Sequence, residues 1–83
     1  MGKELHPSQQ ALLAFFNYDH LPADLKRVSA PFADLAHKLT DMVFAGTVTP
    51  SPELTVALRK LLEAKDCAVR AALRFESEGD EVA

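Results

Sequence analysis

The clearest pattern in this chain is an apolar stripe with helical spacing between Ser51 and Arg74. Its members fall on one side of a helix at about 100° per residue and are Leu54, Leu58, Leu61, Leu62, Ala68, Val69 and Ala72. Ser51 is a suitable N-cap, Pro52 fits the first turn, and Glu53 faces the positive end of the helix dipole. The pattern therefore predicts a long helix that begins at Pro52 and presents one face to a core.

A second apolar stripe predicts another long helix from about Pro22 to Phe44. Its members are Leu25, Val28, Phe32, Leu35, Ala36, Leu39, Met42 and Val43. Pro31 interrupts this stripe, and we expect a kink near Ala30 because an internal proline removes a backbone hydrogen bond and crowds the preceding turn. Gly46 can end the helix in a left-handed conformation, and the short connection after it makes the two long helices antiparallel.

The segment before these helices predicts one short helix. Pro7 in its first turn, followed by good helix formers, indicates a helix that extends to about Tyr18, with aromatic residues that must pack against the rest of the chain. We expect a flexible leader over residues 1–6 and an acidic, disordered tail over residues 75–83. The predicted fold is all-α, with one domain over residues 7–74: a short N-terminal helix and an antiparallel hairpin of two long helices, the first kinked at a proline.

The length of the chain limits how stable this fold can be alone. With 83 residues it buries a modest core, and small helical domains without metals or disulfides commonly gain packing by self-association. We therefore expect an oligomeric helical bundle. Cys67 is the one cysteine, which excludes an intrachain disulfide and fits a reducing cytoplasm. No apolar run is long enough to cross a bilayer, and we expect neither a membrane span nor a signal peptide.

The net charge of −3 is concentrated in the last eight residues, which carry Glu76, Glu78, Asp80 and Glu81. Setting aside those four negative charges leaves a net charge of +1 for the rest of the chain. This nearly neutral body lacks the strong basic excess of a general DNA-binding or RNA-binding surface. A small anion held by a few positioned cations is still compatible with it, because such a site needs only local positive charge.

The sequence offers no catalytic or metal-binding motif. The histidines, His6, His20 and His37, lack the close helical spacing of a two-histidine zinc site, and there is no glycine-rich phosphate loop. Ser29 and Cys67 each lack a sequence-evident base. We therefore expect no enzymatic activity, no metal and no cofactor.

Charged residues on the third predicted helix admit more than one interpretation. Glu63 and Asp66 could form an acid/base pair, but Arg59 and Arg70 on the same face favour a mutual salt-bridge ladder. Lys65 lies near the middle of the apolar stripe. Either its stem lies along apolar surface while the ammonium reaches the edge, or a pocket or subunit interface opens there and the ammonium meets a phosphate or an acidic partner.

A second set of candidates flanks the proline turn between the first two helices: Tyr18, His20, Lys26 and Arg27. A ring followed by cations suits stacking on a nucleobase and neutralising a phosphate. The same residues could instead form a hydrophobic staple with solvated charges. Late in the third helix, Arg70 and Arg74 could favour the negative helix end or clamp an anion jointly with a neighbouring subunit.

Three segments of the chain together resemble small bacteriophage proteins. They are residues 20–25 (His-Leu-Pro-Ala-Asp-Leu), residues 28–32 (Val-Ser-Ala-Pro-Phe) and residues 58–71 of the third predicted helix. The family that they resemble consists of helical-hairpin sponges, which counter the cyclic-oligonucleotide immune systems called CBASS and Thoeris. The resemblance covers the chain from Phe15 to Ala72.

The resemblance implies a protein that binds its ligand and does not convert it. Members of the family assemble as hexamers and hold cyclic dinucleotides in pockets between protomers, and some also hold cyclic trinucleotides at separate sites. Capture of these second messengers keeps the host effector from firing. The implied setting is the host bacterial cytoplasm, with no membrane, DNA or RNA as a partner.

The resemblance also implies site residues. In the family a base-stacking aromatic lies near the end of the short helix, a lysine lies early in the second helix and an arginine lies late in the third. Tyr18 and Lys26 match the first two positions, and either Arg70 or Arg74 matches the third. Together with the other candidates, the predicted ligand-binding set is Tyr18, His20, Lys26, Ser29, Lys65, Arg70 and Arg74.

Two other functions fit the same sequence. An apolar helical face could dock onto a host or phage protein without any nucleotide, so a non-enzymatic protein-interaction module is the main alternative. A non-specific single-strand binder is a weaker one, because its binding would fall steeply with salt, which the nearly neutral body argues against.

Overall fold

The computed structural model describes the backbone of residues 4–78 and the side chains of residues 4–73. This part of the chain contains three helices and no strand: α1 over Pro7–Ala14, α2 over Ala23–Phe44 and α3 over Pro52–Glu78. The two long helices pack against each other as a hairpin, and α1 packs chiefly on α3. The predicted all-helical architecture of one short and two long helices is confirmed.

The start of α1 is capped by hydrogen bonds from side chains. The Ser8 N–H donates to Nδ1 of His6 at 3.2 Å, and the His6 N–H donates to Oε1 of Gln9 at 3.0 Å. These reciprocal bonds satisfy backbone donors that a helix start leaves without partners. Leu5 also packs against the core. Residues 5 and 6 therefore belong to the folded domain, while residues 1–3 of the predicted leader lie outside the described residues.

The first helix ends at Ala14, earlier than the predicted boundary at Tyr18. The N–H groups of the next three residues bond three positions back, from Phe15 to Leu12, from Phe16 to Leu13 and from Asn17 to Ala14, at 3.1, 3.0 and 3.3 Å. Such bonds tighten the last turn and end the α-helix. This turn leaves Phe16 almost fully buried in the core and Phe15 exposed.

Helix α2 is continuous through Pro31, and the kink near Ala30 stays a prediction. Its C-terminus follows the sequence-based expectation, because Gly46 has a φ of 86°. The Thr47 N–H donates to the Met42 carbonyl at 2.8 Å and the Gly46 N–H donates to the Val43 carbonyl at 3.0 Å. This pair of bonds is a Schellman motif, which satisfies the last carbonyls and turns the chain toward α3.

Small residues form most of the α2 surface that faces the core. The buried residues of α2 are Ser29, Ala33, Ala36, Thr40 and Val43, and those of α3 include Leu54 and Leu58. Small side chains let two helices approach closely. As a result the larger residues of the predicted stripe lie beside the contact, and Leu35 and Met42 are exposed. The apolar stripe of α2 therefore does not face the core at these two positions.

Helix α3 begins at Pro52 as predicted and continues to Glu78. The carbonyl of Ser51 accepts the N–H groups of Leu54 and Thr55, at 3.0 and 3.3 Å. At the other end, residues 75–78 are helical rather than part of a disordered tail, because no proline or glycine interrupts the sequence before Gly79. Residues 79–83 lie outside the described residues. Across residues 4–78, no helix combines the length and apolar character needed to cross a bilayer.

Candidate functional site

A groove of about 370 Å³ lies where the α1–α2 connection crosses the C-terminal half of α3. It is lined by Ala14, Phe15, Asn17, His20, Leu21, Lys65, Asp66, Val69 and Arg70, and we call it the Lys65 groove. Its volume lies within the range of small-molecule sites. The fold thus brings together three residues of the predicted set that are far apart in sequence: His20, Lys65 and Arg70.

Lys65 combines a buried stem with a charged end in the groove. Its side chain is 13% exposed, and its Nζ lies 2.9 Å from Oδ1 of Asp66. The low exposure of Lys65 and its place in the groove lining are compatible with both interpretations from the sequence, because a lysine stem can pack along apolar surface while its ammonium reaches a pocket. Because an ammonium group has three donors, it can bind ligand oxygens while the pair with Asp66 persists.

Arg70 is the second cation of the Lys65 groove. Its Nη2 donates to Sγ of Cys67 at 3.3 Å. The predicted ladder of Arg59, Glu63, Asp66 and Arg70 is not formed, since the ion pair found within residues 4–73 joins Asp66 to Lys65 instead. Arg70 consequently has no carboxylate partner in this part of the chain. Its planar guanidinium, with five N–H donors, is available to bind an anion through two parallel hydrogen bonds.

Phe15 supplies an aromatic surface beside these cations. Its side chain is 63% exposed, whereas the neighbouring Phe16 is buried. The sequence indicated an aromatic cluster that must pack, and it did not show which ring would stay outside. Phe15, Asn17 and Leu21 are thus groove residues that sequence reasoning missed, because their position depends on where α1 ends.

Tyr18 lies in a second groove of about 420 Å³, which we call the Tyr18 groove. It is lined by Gln10, Leu13, Ala14, Phe16, Asn17, Tyr18, Asp19, Ala33 and His37. The two grooves share Ala14 and Asn17, so they lie next to each other at the end of α1. Tyr18 is partly buried and packs against the core.

Two further predicted site residues, Lys26 and Ser29, line neither of these grooves. Lys26 is exposed on α2. Ser29 is fully buried, and its Oγ has no hydrogen-bond partner. The side chain of Arg74 lies outside the described residues. Among the late arginines, the structure therefore places Arg70 at the Lys65 groove and leaves the contribution of Arg74 a prediction.

The buried hydroxyl of Ser29 leads to a prediction about stability. A hydroxyl buried without a partner costs about 1–3 kcal/mol by protein mutational data. We therefore expect Ser29→Ala to raise the free energy of unfolding by about 1 kcal/mol in a urea titration and to leave ligand binding unchanged. Loss of ligand binding in this variant, with an intact fold by circular dichroism, would instead assign Ser29 to the site.

Gln9 fixes the position of α1 on α3. Its side chain is 1% exposed, and its Nε2 donates to the Ser51 carbonyl and to Oγ1 of Thr55, both at 3.0 Å. Its Oε1 accepts the His6 N–H. This buried amide is therefore well satisfied, and by holding α1 it also holds Phe15 at the far end of that helix over the Lys65 groove.

Metal binding is a further chemistry to consider in the described part of the chain. No group of three or more histidine, cysteine, aspartate or glutamate residues within that part is placed to hold a metal ion. Comparisons with protein-family models, curated proteins and solved structures found no match to this chain. An inference about function therefore depends on the groove residues and their contacts.

Proposed function

We propose that this protein binds and sequesters cyclic oligonucleotide second messengers, cyclic dinucleotides and in addition cyclic trinucleotides, without hydrolysing them. In a bacterium infected by a phage that encodes it, this capture would block host CBASS immunity. The observation that carries the proposal is the meeting of Lys65, Arg70 and His20 with the exposed ring of Phe15 in one groove. A cyclic oligonucleotide presents the matching features, phosphates and flat bases, on one small molecule.

The charges of the Lys65 groove suit a phosphate. Lys65 and Arg70 are cationic and Asp66 is anionic, so the groove has a net positive charge before His20 is counted. Arg70 can offer a planar fork of donors and Lys65 a compact ammonium, the two common ways in which proteins hold phosphate oxygens. Partial burial of Lys65 strengthens such an interaction, because solvent screens it less.

Phe15 takes the stacking position that the resemblance assigned to Tyr18. An exposed ring beside two cations lets a base stack while its phosphate is neutralised, and stacking on an aromatic side chain tolerates any base. Capture without turnover needs groups that stack and neutralise, and these are the groups in the Lys65 groove. Affinity on the order of nanomolar would keep the messenger from its effector.

We further propose that the functional unit is a homo-oligomer, a hexamer by the resemblance. The exposed side of α2 carries Leu35 and Met42, and α3 exposes Ala57 and Ala64. Large exposed apolar patches commonly mark contacts with another chain, and we propose that these side chains contribute to such a contact. An oligomer would also supply apolar burial that a domain of this size lacks when alone.

A ligand titration tests the proposal directly. A panel of cyclic dinucleotides and trinucleotides is titrated into the purified protein by calorimetry, and the complex is then denatured to recover the ligand. We expect at least one member to bind tightly and to be recovered unmodified. Recovery of a linear product would contradict sequestration, and the absence of binding by every member would end the proposal.

Substitution of single aromatic residues identifies the stacking ring. We expect Phe15→Ala to weaken binding of the captured ligand by about tenfold or more, as expected for loss of one stacked base. Phe44→Ala is the matched control, because Phe44 is similarly exposed but lies at the opposite end of α2. If Tyr18→Ala removes binding and Phe15→Ala does not, the stacking position belongs to Tyr18 and our assignment is wrong.

The exposed apolar residues also support a second candidate, a protein-interaction module that docks onto a host or phage protein. Leu35 and Met42 provide the apolar surface for such a contact. The same titration separates the two functions, since a docking module should show no change in melting temperature with any cyclic nucleotide.

A further inference from the structure

The Tyr18 groove differs in charge from the Lys65 groove beside it. Asp19 brings a carboxylate to its lining, together with the Tyr18 ring and His37. No lysine or arginine lines it. Among the described residues Asp19 has no ion-pair partner, while its backbone N–H donates to Oδ1 of Asn17 at 3.0 Å. The free carboxylate is a strong acceptor that no other group of the described chain satisfies.

The two side-chain amides of the Tyr18 groove, Asn17 and Gln10, each already use one polar atom in a hydrogen bond. Oδ1 of Asn17 accepts the Asp19 N–H, and Nε2 of Gln10 donates to the Leu5 carbonyl at 3.2 Å. The strongest hydrogen-bonding group left for a ligand is therefore the Asp19 carboxylate. A ligand suited to this groove has a flat apolar face for Tyr18 and a pair of donors for Asp19.

We propose that the Tyr18 groove binds a guanine base, with Asp19 as the residue that determines base specificity. The guanine N1–H and N2–H groups point in the same direction and can donate together to the two oxygens of a carboxylate. Adenine offers a donor at N6 beside an acceptor at N1, so a carboxylate attracts one atom and repels the other. The assignment rests on the proposed function, because it makes the two grooves parts of one nucleotide site.

Because the two grooves share Ala14 and Asn17, one ligand can reach both of them. The phosphate lies in the Lys65 groove with Arg70, and the chain of the ligand crosses Asn17 so that one base reaches the Tyr18 groove. The second base of a cyclic dinucleotide stays at Phe15. A ligand that contains guanine thus meets cations at its phosphate and an anion at its base. Its charges therefore complement those of the two grooves.

Titrations of cyclic di-GMP and cyclic di-AMP test this assignment. We expect the wild-type protein to bind cyclic di-GMP about tenfold more tightly than cyclic di-AMP, as for one good bidentate base contact. Asp19→Asn should remove most of this preference by weakening cyclic di-GMP alone. Asp24→Asn is the matched control, because it removes the same charge from an exposed residue that lines neither groove, and it should keep the preference.

The outcomes separate this inference from the proposed function. Equal affinity of the wild-type protein for the two ligands, or a preference that survives in Asp19→Asn, overturns the role of Asp19 while sequestration stands. Binding of neither ligand, nor of any other cyclic oligonucleotide, overturns both. The wild-type comparison needs no variant, so the inference is decided even if Asp19→Asn folds poorly.

Discussion

Lys65→Met should strongly weaken ligand capture and leave the fold intact. Lys65 is the more buried of the two cationic residues that the groove takes from α3, with its side chain 13% exposed. Truncating one partner of a buried, hydrogen-bonded charge pair costs about 2–5 kcal/mol, so we expect affinity for the captured cyclic oligonucleotide to fall by about thirtyfold or more. Calorimetric titration measures this loss.

The same substitution should not destabilise the protein. Methionine has a similar length and matches the apolar surroundings of the lysine stem, and the pair with Asp66 involves a half-exposed carboxylate that water can solvate after the change. We expect the free energy of unfolding to be unchanged or raised by about 1 kcal/mol. Lys60→Met is the control, because Lys60 is exposed on the same helix and lines neither groove. Equal ligand affinity in both variants would contradict the assignment of Lys65.

Gln9→Ala should cause the largest loss of stability. The substitution removes three hydrogen bonds and leaves the Thr55 hydroxyl, the Ser51 carbonyl and the His6 N–H with fewer partners where α1 meets the start of α3. Each buried polar group left without its partner costs about 1–3 kcal/mol. Because Ser51 O still accepts two backbone N–H groups, we expect a total loss of about 3 kcal/mol and a melting temperature lower by about 15 °C.

Two further variants separate the causes of that loss. Gln10→Ala changes the neighbouring exposed glutamine and should alter stability by at most about 0.5 kcal/mol. Gln9→Leu keeps most of the side-chain volume but cannot form the hydrogen bonds, so it should be nearly as unstable as Gln9→Ala. If Gln9→Leu instead melts at the wild-type temperature, packing rather than hydrogen bonding holds α1 on α3.

Local signals in the sequence were sufficient to locate the two long helices. Pro52 in a first turn and Gly46 after a last turn act through their own backbone geometry, so the start of α3 and the end of α2 follow without knowledge of the rest of the fold. The end of α1 at Ala14 and the exposure of Leu35 depend on tertiary packing. Apolar spacing alone does not show that small residues form the closest helix contact.

The sequence singled out some residues of the Lys65 groove but did not show which residues meet there. A cation in the apolar stripe singled out Lys65, and the late position of Arg70 made it a candidate. Their meeting with His20 requires the connection after α1 to cross α3, which no spacing within one helix can show. The separation of Tyr18 from them follows from the early end of α1, which leaves Phe15 rather than Tyr18 beside the cations.

The Lys65 groove is assembled from residues 14–21 and residues 65–70, so it exists only while the end of α1 and the α1–α2 connection are docked on α3. Local opening of that region is also the event that exposes a chain to proteases. A bound ligand lowers the population of the open form. Under the proposed function, empty copies are therefore degraded before loaded ones, and a bacterium that makes more messenger prolongs the cellular lifetime of the protein that removes it.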